Sequence, residues 1–421
     1  MLWGWPRFAC LNFLPYDTSL EVLQMSQPTT VPRFSRLFWI AIALFFVMFA
    51  AGTALGQYGK SERGKKDTKP EGDYGNLTIK VKVNKRTLVG NPLIWDGSHM
   101  QLLRRDGRMT QVPVKSHDDY QVLTEPFKPY SKASVARSLQ KEFGPKYQVS
   151  VTPSFVVVHP QGDYHTWAKP FEDLNVRFAN YFQTRGARLK PSKFPMVAVV
   201  LRTRREFDRM LASYHKGSLS KNTLGYYSPN SNRVITYDPY EGKRKDWLLN
   251  TDTIIHEATH QTAFNRGIHS RYGTASRWVT EGLACMFESP GVNNSYIYTK
   301  QIDRVNMGRM LPLLRMINNG SAKGNLENIV RDDRLFQPKP QLAYAYAWGL
   351  TFYLAETQSK NYIKFLTDDG KRENFSRYSR TDRVQQFAEA FGSDFENIEA
   401  QMFNYLKSVK LPPSTTSYGR R

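Results

Sequence analysis

The sequence predicts an α+β fold: a small β module, then a larger region of mixed sheet and helices that ends in a helical C-terminal lobe. Three observations support it. Over residues 77–83, Leu77, Ile79, Val81 and Val83 alternate with Thr78, Lys80 and Lys82, the period of a half-exposed strand. Between about 131 and 237, short apolar runs interleave with stretches of helical spacing. Beyond Tyr296 the spacing is mostly helical.

Length and composition narrow the class. A chain of 421 residues has room for two or three domains and a sizeable core, and 13% aromatic residues argue against a disordered chain. Lys and Arg number 59 against 37 Asp and Glu, a formal charge of +22. That balance invites an anionic partner such as a membrane surface or an acidic wall polymer. The basic residues are scattered and no nucleic-acid motif accompanies them, so no nucleic-acid partner is expected. Only Cys10 and Cys285 are present, which excludes a disulfide framework and Cys-rich zinc sites. Any metal here rests on His and carboxylate.

In chain order, residues 1–24 precede Met25 awkwardly and read as a leader that is not part of the native start. Residues 25–56 read as an export signal or membrane anchor. Arg33 and Arg36 flank an apolar run of 15 residues over 37–51, short for a membrane span, and Ala54-Leu55-Gly56 suits cleavage before Gln57. The expected location is therefore exported: periplasmic, cell-envelope or secreted, with anchoring through 37–56 as the alternative. Residues 57–73 are charged and turn-rich, a linker by composition. The β module spans 74–125, with turn signals at Gly90-Asn91-Pro92, Asp96-Gly97 and Asp106-Gly107.

The next stretch alternates. Residues 131–143 form a short helix closed by Gly144-Pro145, and Phe155 to Val158 is a buried strand. Trp167, Phe171, Leu174, Phe178 and Phe182 fall at helical spacing and read as core, and residues 196–201 make a second buried strand. Thr203-Arg-Arg-Glu206 has the capping-box form. Residues 224–237 read as two strands around Pro229-Asn-Ser-Asn232. They are either an ordinary hairpin or an edge that accepts an extended peptide. Residues 411–421 are expected to be a disordered tail.

The stretch that names a chemistry is Thr251-Asp-Thr-Ile-Ile-His256-Glu257-Ala-Thr-His260. Residues 246–266 are helical in pattern, so two histidines four apart share one face and can grip one divalent metal, usually zinc. Glu257 sits beside that metal and can take a proton from water. A continuation Gly-x-x-His after the second histidine is ruled out by Ala263 and Arg266, and His269 would have to fold back sharply. The better third ligand is Glu281 in Trp278-Val-Thr-Glu281-Gly-Leu-Ala284, 21 residues after His260, enough for a loop and a return on a second helix. Ala284 is small enough to let that helix approach closely.

His256-Glu257-x-x-His260 with Glu281-x-x-Ala284 resembles a gluzincin, the thermolysin-like branch of zinc peptidases. More closely, residues 131–410 resemble the secreted bacterial peptidase-MA-like proteins grouped as domain of unknown function 1570, including Trp278–Ala284 and Tyr344-Ala-Tyr-Ala-Trp-Gly-Leu350. The resemblance implies a zincin-like domain with a small mixed sheet, an active-site helix and a helical C-terminal lobe. It does not imply a substrate; with His256, His260 and Glu281 as ligands, the expected cofactor is Zn2+ and the expected reaction is hydrolysis of a peptide or protein by a zinc-activated water, with Glu257 as base. It also points to Tyr344 as a donor that steadies the oxyanion, with Tyr346 on a different face. One departure stands out: thermolysin-like enzymes often carry Asp one turn after the glutamate ligand, and Cys285 occupies that place. A partner for the histidines is then expected elsewhere. The rival reading is a non-catalytic envelope scaffold that keeps the fold.

Overall fold

The computed structural model describes residues 74–83, 85–96, 99–113, 120–162, 164–213, 223–242 and 251–412. All of them fall within one compact unit, Asp67–Arg421. The leader, the signal or anchor, the linker and all but the first two residues of the tail lie outside the described residues. Among the described residues, no helix is long and apolar enough to cross a membrane.

The first sheet comprises β1 (Thr78–Val83), β2 (Arg86–Trp95), β3 (His99–Arg104), β4 (Met109–Pro113) and β5 (Tyr120–Leu123), antiparallel in the order β4-β3-β2-β1-β5. Ile79 and Val81 are buried while Lys80 and Lys82 face water, so the alternation along β1 is realised. Trp95, Met100, Leu102 and Val112 complete its core. The turn expected at Gly90-Asn91-Pro92 is absent, because β2 runs straight through it. The strand absorbs the proline with a register shift between Pro92 and Ile94. Gly90 is needed for closeness, since a Cβ there would stand 2.5 Å from the Leu103 carbonyl oxygen of β3.

The second sheet comprises β6 (Tyr147–Val151), β7 (Phe155–Pro160), β8 (Met196–Leu201), β9 (Gly225–Ser228) and β10 (Arg233–Tyr237), in the order β6-β7-β8-β10-β9. The two inner pairings, β7 with β8 and β8 with β10, are parallel; the two outer ones are antiparallel. Both faces are covered, which is why β7 and β8 read as continuous apolar runs. Val156, Val158, Val197 and Val199 pack under α1 (Lys132–Phe143) and α3 (Arg204–Ala212). Phe155, Val157, Met196 and Ala198 face α2 (Lys169–Gln183) and α4 (Thr251–Asn265). Capping follows the sequence: Ser131 and Thr203 hydroxyls accept the Ser134 and Glu206 amides at 3.2 Å each.

The remainder is the helical lobe: α5 (Arg277–Phe287), α6 (Met307–Asn318), α7 (Leu326–Arg331), α8 (Pro340–Thr357), α9 (Ser359–Asp369), α10 (Arg380–Phe391) and α11 (Phe395–Ser408). Helix α8 is buried on nearly every side, so its apolar residues have no single stripe. Its closest neighbour is α5. A Cβ at Gly282 would lie 2.6 Å from the Ala347 carbonyl oxygen and 2.2 Å from Thr351 Oγ1. This tight contact is with α8; Ala284, expected to let α5 approach α4, is fully buried. The start of α5 is held from a distance, where Asp333 accepts the Arg277 amide at 3.0 Å and pairs with Arg383 at 2.8 Å.

Candidate metal centre and its cleft

Helix α4 places His256 and His260 one turn apart, and α5 returns Glu281 to the same point. His256 Nε2 lies 3.2 Å from His260 Nε2 and 3.3 Å from Glu281 Oε2, and His260 Nε2 lies 3.6 Å from that oxygen. Two ring nitrogens facing each other at this distance repel through their lone pairs unless a cation or a proton lies between them. Tetrahedral zinc with bonds of about 2.0–2.1 Å has ligand atoms about 3.3–3.4 Å apart. The observed triangle matches that edge length. Two imidazoles and a carboxylate are also a donor set suited to zinc. The residues fit the metal.

His256 is oriented from behind by a residue that the sequence reading missed. Its Nδ1 donates to Glu288 Oε1 at 2.8 Å, which turns Nε2 toward the triangle as the nitrogen that a metal would take. Glu288 Oε2 in turn accepts from Asn306 Nδ2 at 2.6 Å, and the same amide reaches the Cys285 carbonyl at 2.9 Å. Glu288 therefore does the work that Cys285 cannot do one turn earlier. The clue was its place seven residues after Glu281, two turns along the same helix face. Cys285 is fully buried, and its sulfur, a Glu288 oxygen and a His256 ring nitrogen lie within 4.8 Å of one another. Because Glu288 is already bonded to His256 and Asn306, this second group is a support for the histidine.

The electrostatics of the metal-free site follow from these contacts. Burial opposes the charged form of His256, yet contacts with Cys285, Glu281 and Glu288 hold it well above the usual imidazole range. Burial likewise opposes charge on Glu281, but His256 and His260 pull its carboxyl well below the usual range. Glu288 is also lowered, through His256 and despite burial. Glu257 goes the other way: burial raises it, and the two histidines only partly offset this.

Glu257 lies in the cleft beside the triangle. Its Oε2 accepts the Tyr227 amide of β9 at 2.7 Å. Strand β9 comes this close because Gly225 has no side chain, since a Cβ would stand 2.7 Å from Glu257 Cγ and from Thr253 Cγ2. Strand β9 of the hairpin is the edge of the sheet and one wall of the cleft, with β10 inside the sheet and Asn232 in the left-handed region at φ 57° in the turn between them. The cleft encloses about 770 Å³.

Tyr344, Arg277, Arg309, Phe336 and Pro340 line the cleft as well. Tyr344 Oη accepts from Arg277 at 3.1 Å, which leaves its own O–H to donate. Tyr346, two positions on, is fully buried and bonded to Glu399 of α11, away from the cleft. His269 is buried 3.8 Å from Asp369 of α9 and takes no part in the triangle.

The family model described as "Protein of unknown function (DUF1570)" matches residues 250–376, a narrower span than 131–410 and one that holds every residue of the site on α4, α5, α6 and α8. None of the curated proteins matches. Among solved structures, the chain is similar to the M1 zinc metallopeptidase from Deinococcus radiodurans, in wild-type and alanine-mutant forms. Each has a TM-score of 0.34 and 13% identity, over 64% of this chain and 52% of that one. The mutant bound to a Tyr-Ser-Ala substrate gives a TM-score of 0.31 at 13% identity, over 63% and 53%. The chain thus spans about half the length of the structures that it matches.

Proposed function

We propose that this chain is an exported zinc-dependent peptidase of the gluzincin kind, which hydrolyses peptide bonds with Glu257 as general base. The observation that carries the reading is the convergence of His256 Nε2, His260 Nε2 and Glu281 Oε2 within 3.2–3.6 Å in a cleft walled by a sheet edge.

These three residues would hold the zinc, which when bound supplies Lewis acidity and brings the pKa of water to about 7. Glu257, oriented by the Tyr227 amide and made more basic by burial, takes the proton of the attacking water and returns it to the departing amine. Tyr344 donates its O–H to the oxygen of the attacked carbonyl, while Arg277 holds the phenol in place. Because the Tyr227 amide points away from β10, alternation turns the Gly225 backbone outward too, where an extended substrate can pair with it. A formal charge of +22 suits work at an anionic envelope surface.

The test is zinc content and hydrolysis of a mixed peptide library by the full chain, beside Glu257→Gln and Glu281→Ala. The reading expects one zinc per chain, cleavage lost at least about 100-fold in Glu257→Gln with zinc retained, and weakened zinc in Glu281→Ala. Stoichiometric zinc without cleavage of any peptide would favour the non-catalytic scaffold. A chain that takes up no zinc would end both readings.

A further inference from the structure

The cleft carries two guanidinium groups, and among the described residues only one has a carboxylate within ion-pair distance. Arg277 Nε lies 3.6 Å from Glu281 Oε1, and the group stacks on Phe336 with its central carbon 4.7 Å from the ring centroid. Arg309 lies 5.2 Å from the Tyr344 ring centroid, half-buried, and among the described residues it has no ion pair. Its protein partners are the Cys285 side chain, to which it hydrogen-bonds, and Glu288, which acts on it by charge while one of its oxygens is bonded to His256 and the other to Asn306. Arg309 also stands in the first turn of α6, where the helix dipole presents its positive end. Burial opposes the cation, but Cys285, Glu288 and Tyr344 together hold the guanidinium in its charged form, so a standing positive charge lines the cleft. The β9 side, from Thr223 to Tyr227, carries no charge to meet it.

We propose that Arg309, with Arg277 beside it, receives a carboxylate of the substrate, so that the cleft selects peptides with an acidic group close to the bond presented to Glu257. This rests on the peptidase reading of the same cleft. The guanidinium fork matches a carboxylate through two parallel hydrogen bonds, and the rings of Phe336 and Tyr344 hold the two forks in fixed orientation. The carboxylate comes either from an Asp or Glu side chain or from the peptide's C-terminus, and both present the same chemistry.

Four peptides distinguish the sources: one sequence with a central Glu or Gln, each with a free or amidated C-terminus. Dissociation constants for the zinc-loaded full chain and its kcat/KM are measured separately. Wild type should bind the acidic member of the deciding pair about 10- to 100-fold more tightly. Arg309→Gln should erase that ratio, and Arg309→Lys, which also guards against misfolding of the first variant, should restore part of it. A ratio that follows Glu against Gln assigns the side chain; one that follows acid against amide assigns the C-terminus. Equal binding of all four peptides by wild type overturns the proposal. So does a ratio that Arg309→Gln leaves intact, including the case where that variant only weakens zinc by loosening Glu288. Discrimination in binding without any turnover would instead retire the peptidase reading and leave the carboxylate site standing.

Discussion

Replacing Glu288 with glutamine tests the support behind His256 while keeping shape and volume. The two oxygens of Glu288 do different work: one accepts from His256 Nδ1 at 2.8 Å, the other from Asn306 Nδ2 at 2.6 Å. Glutamine has one oxygen and one NH2. If the oxygen faces His256, the NH2 meets the Asn306 donor head-on. If it faces Asn306, the NH2 donates to Nδ1 and moves the ring proton to Nε2, the nitrogen that points at His260 and Glu281. Either arrangement penalises metal binding. Loss of such an outer partner typically weakens metal affinity by about 10- to 100-fold, or about 1.4–2.8 kcal/mol. Competition with a chromophoric chelator measures the zinc constant, and near-UV circular dichroism checks that the fold survives. An affinity within twofold of wild type, in a folded variant, would refute the assignment of Glu288 as the orienting partner.

Three further outcomes are expected. In Gly225→Ala the new Cβ would lie 2.7 Å from Glu257 Cγ, where ordinary contact begins at 3.4 Å, so the base must move by about 0.7 Å. Activity should fall by about 100-fold with zinc content unchanged, and full activity would show that β9 does not set the position of Glu257. Gly282→Ala drives a Cβ to 2.6 Å from a backbone oxygen of α8 and should destabilise the fold by about 3 kcal/mol, read as a lower urea midpoint at constant slope. Because His256 is held well above the usual imidazole range without metal, zinc must displace its proton. Apparent zinc affinity should therefore fall as pH drops, with about one proton released per zinc near neutrality. Calorimetry in two buffers of different ionisation enthalpy would detect that release, and identical heats would count against it.

Local periodicity made part of this molecule readable. His256 and His260 share a face because an α-helix repeats every 3.6 residues, and no distant contact is needed to know it. The strands of residues 155–158 and 196–201 announced themselves because both faces are buried, which demands uninterrupted apolar residues. Glu281 was reachable because a loop of that length allows an antiparallel return. By contrast, Gly90-Asn91-Pro92 has the composition of a turn, yet it lies inside β2. There the register shift and the close contact with Leu103 outweigh the turn preference.

The amino-acid sequence by itself determined the histidine pair on one helix face, the glutamate between them and the alternation of strands and helices, because each depends on residues close together along the chain. Only the tertiary structure decided the rest. It brought Glu288 and Asn306 behind His256, set Gly225 of β9 against Glu257, pointed Tyr346 away from the cleft and placed Arg309 on its wall beside the Tyr344 ring. A carboxylate, a glycine or an arginine has no distinctive spacing of its own. Its role comes from the partners that folding supplies and from the cleft into which folding turns it.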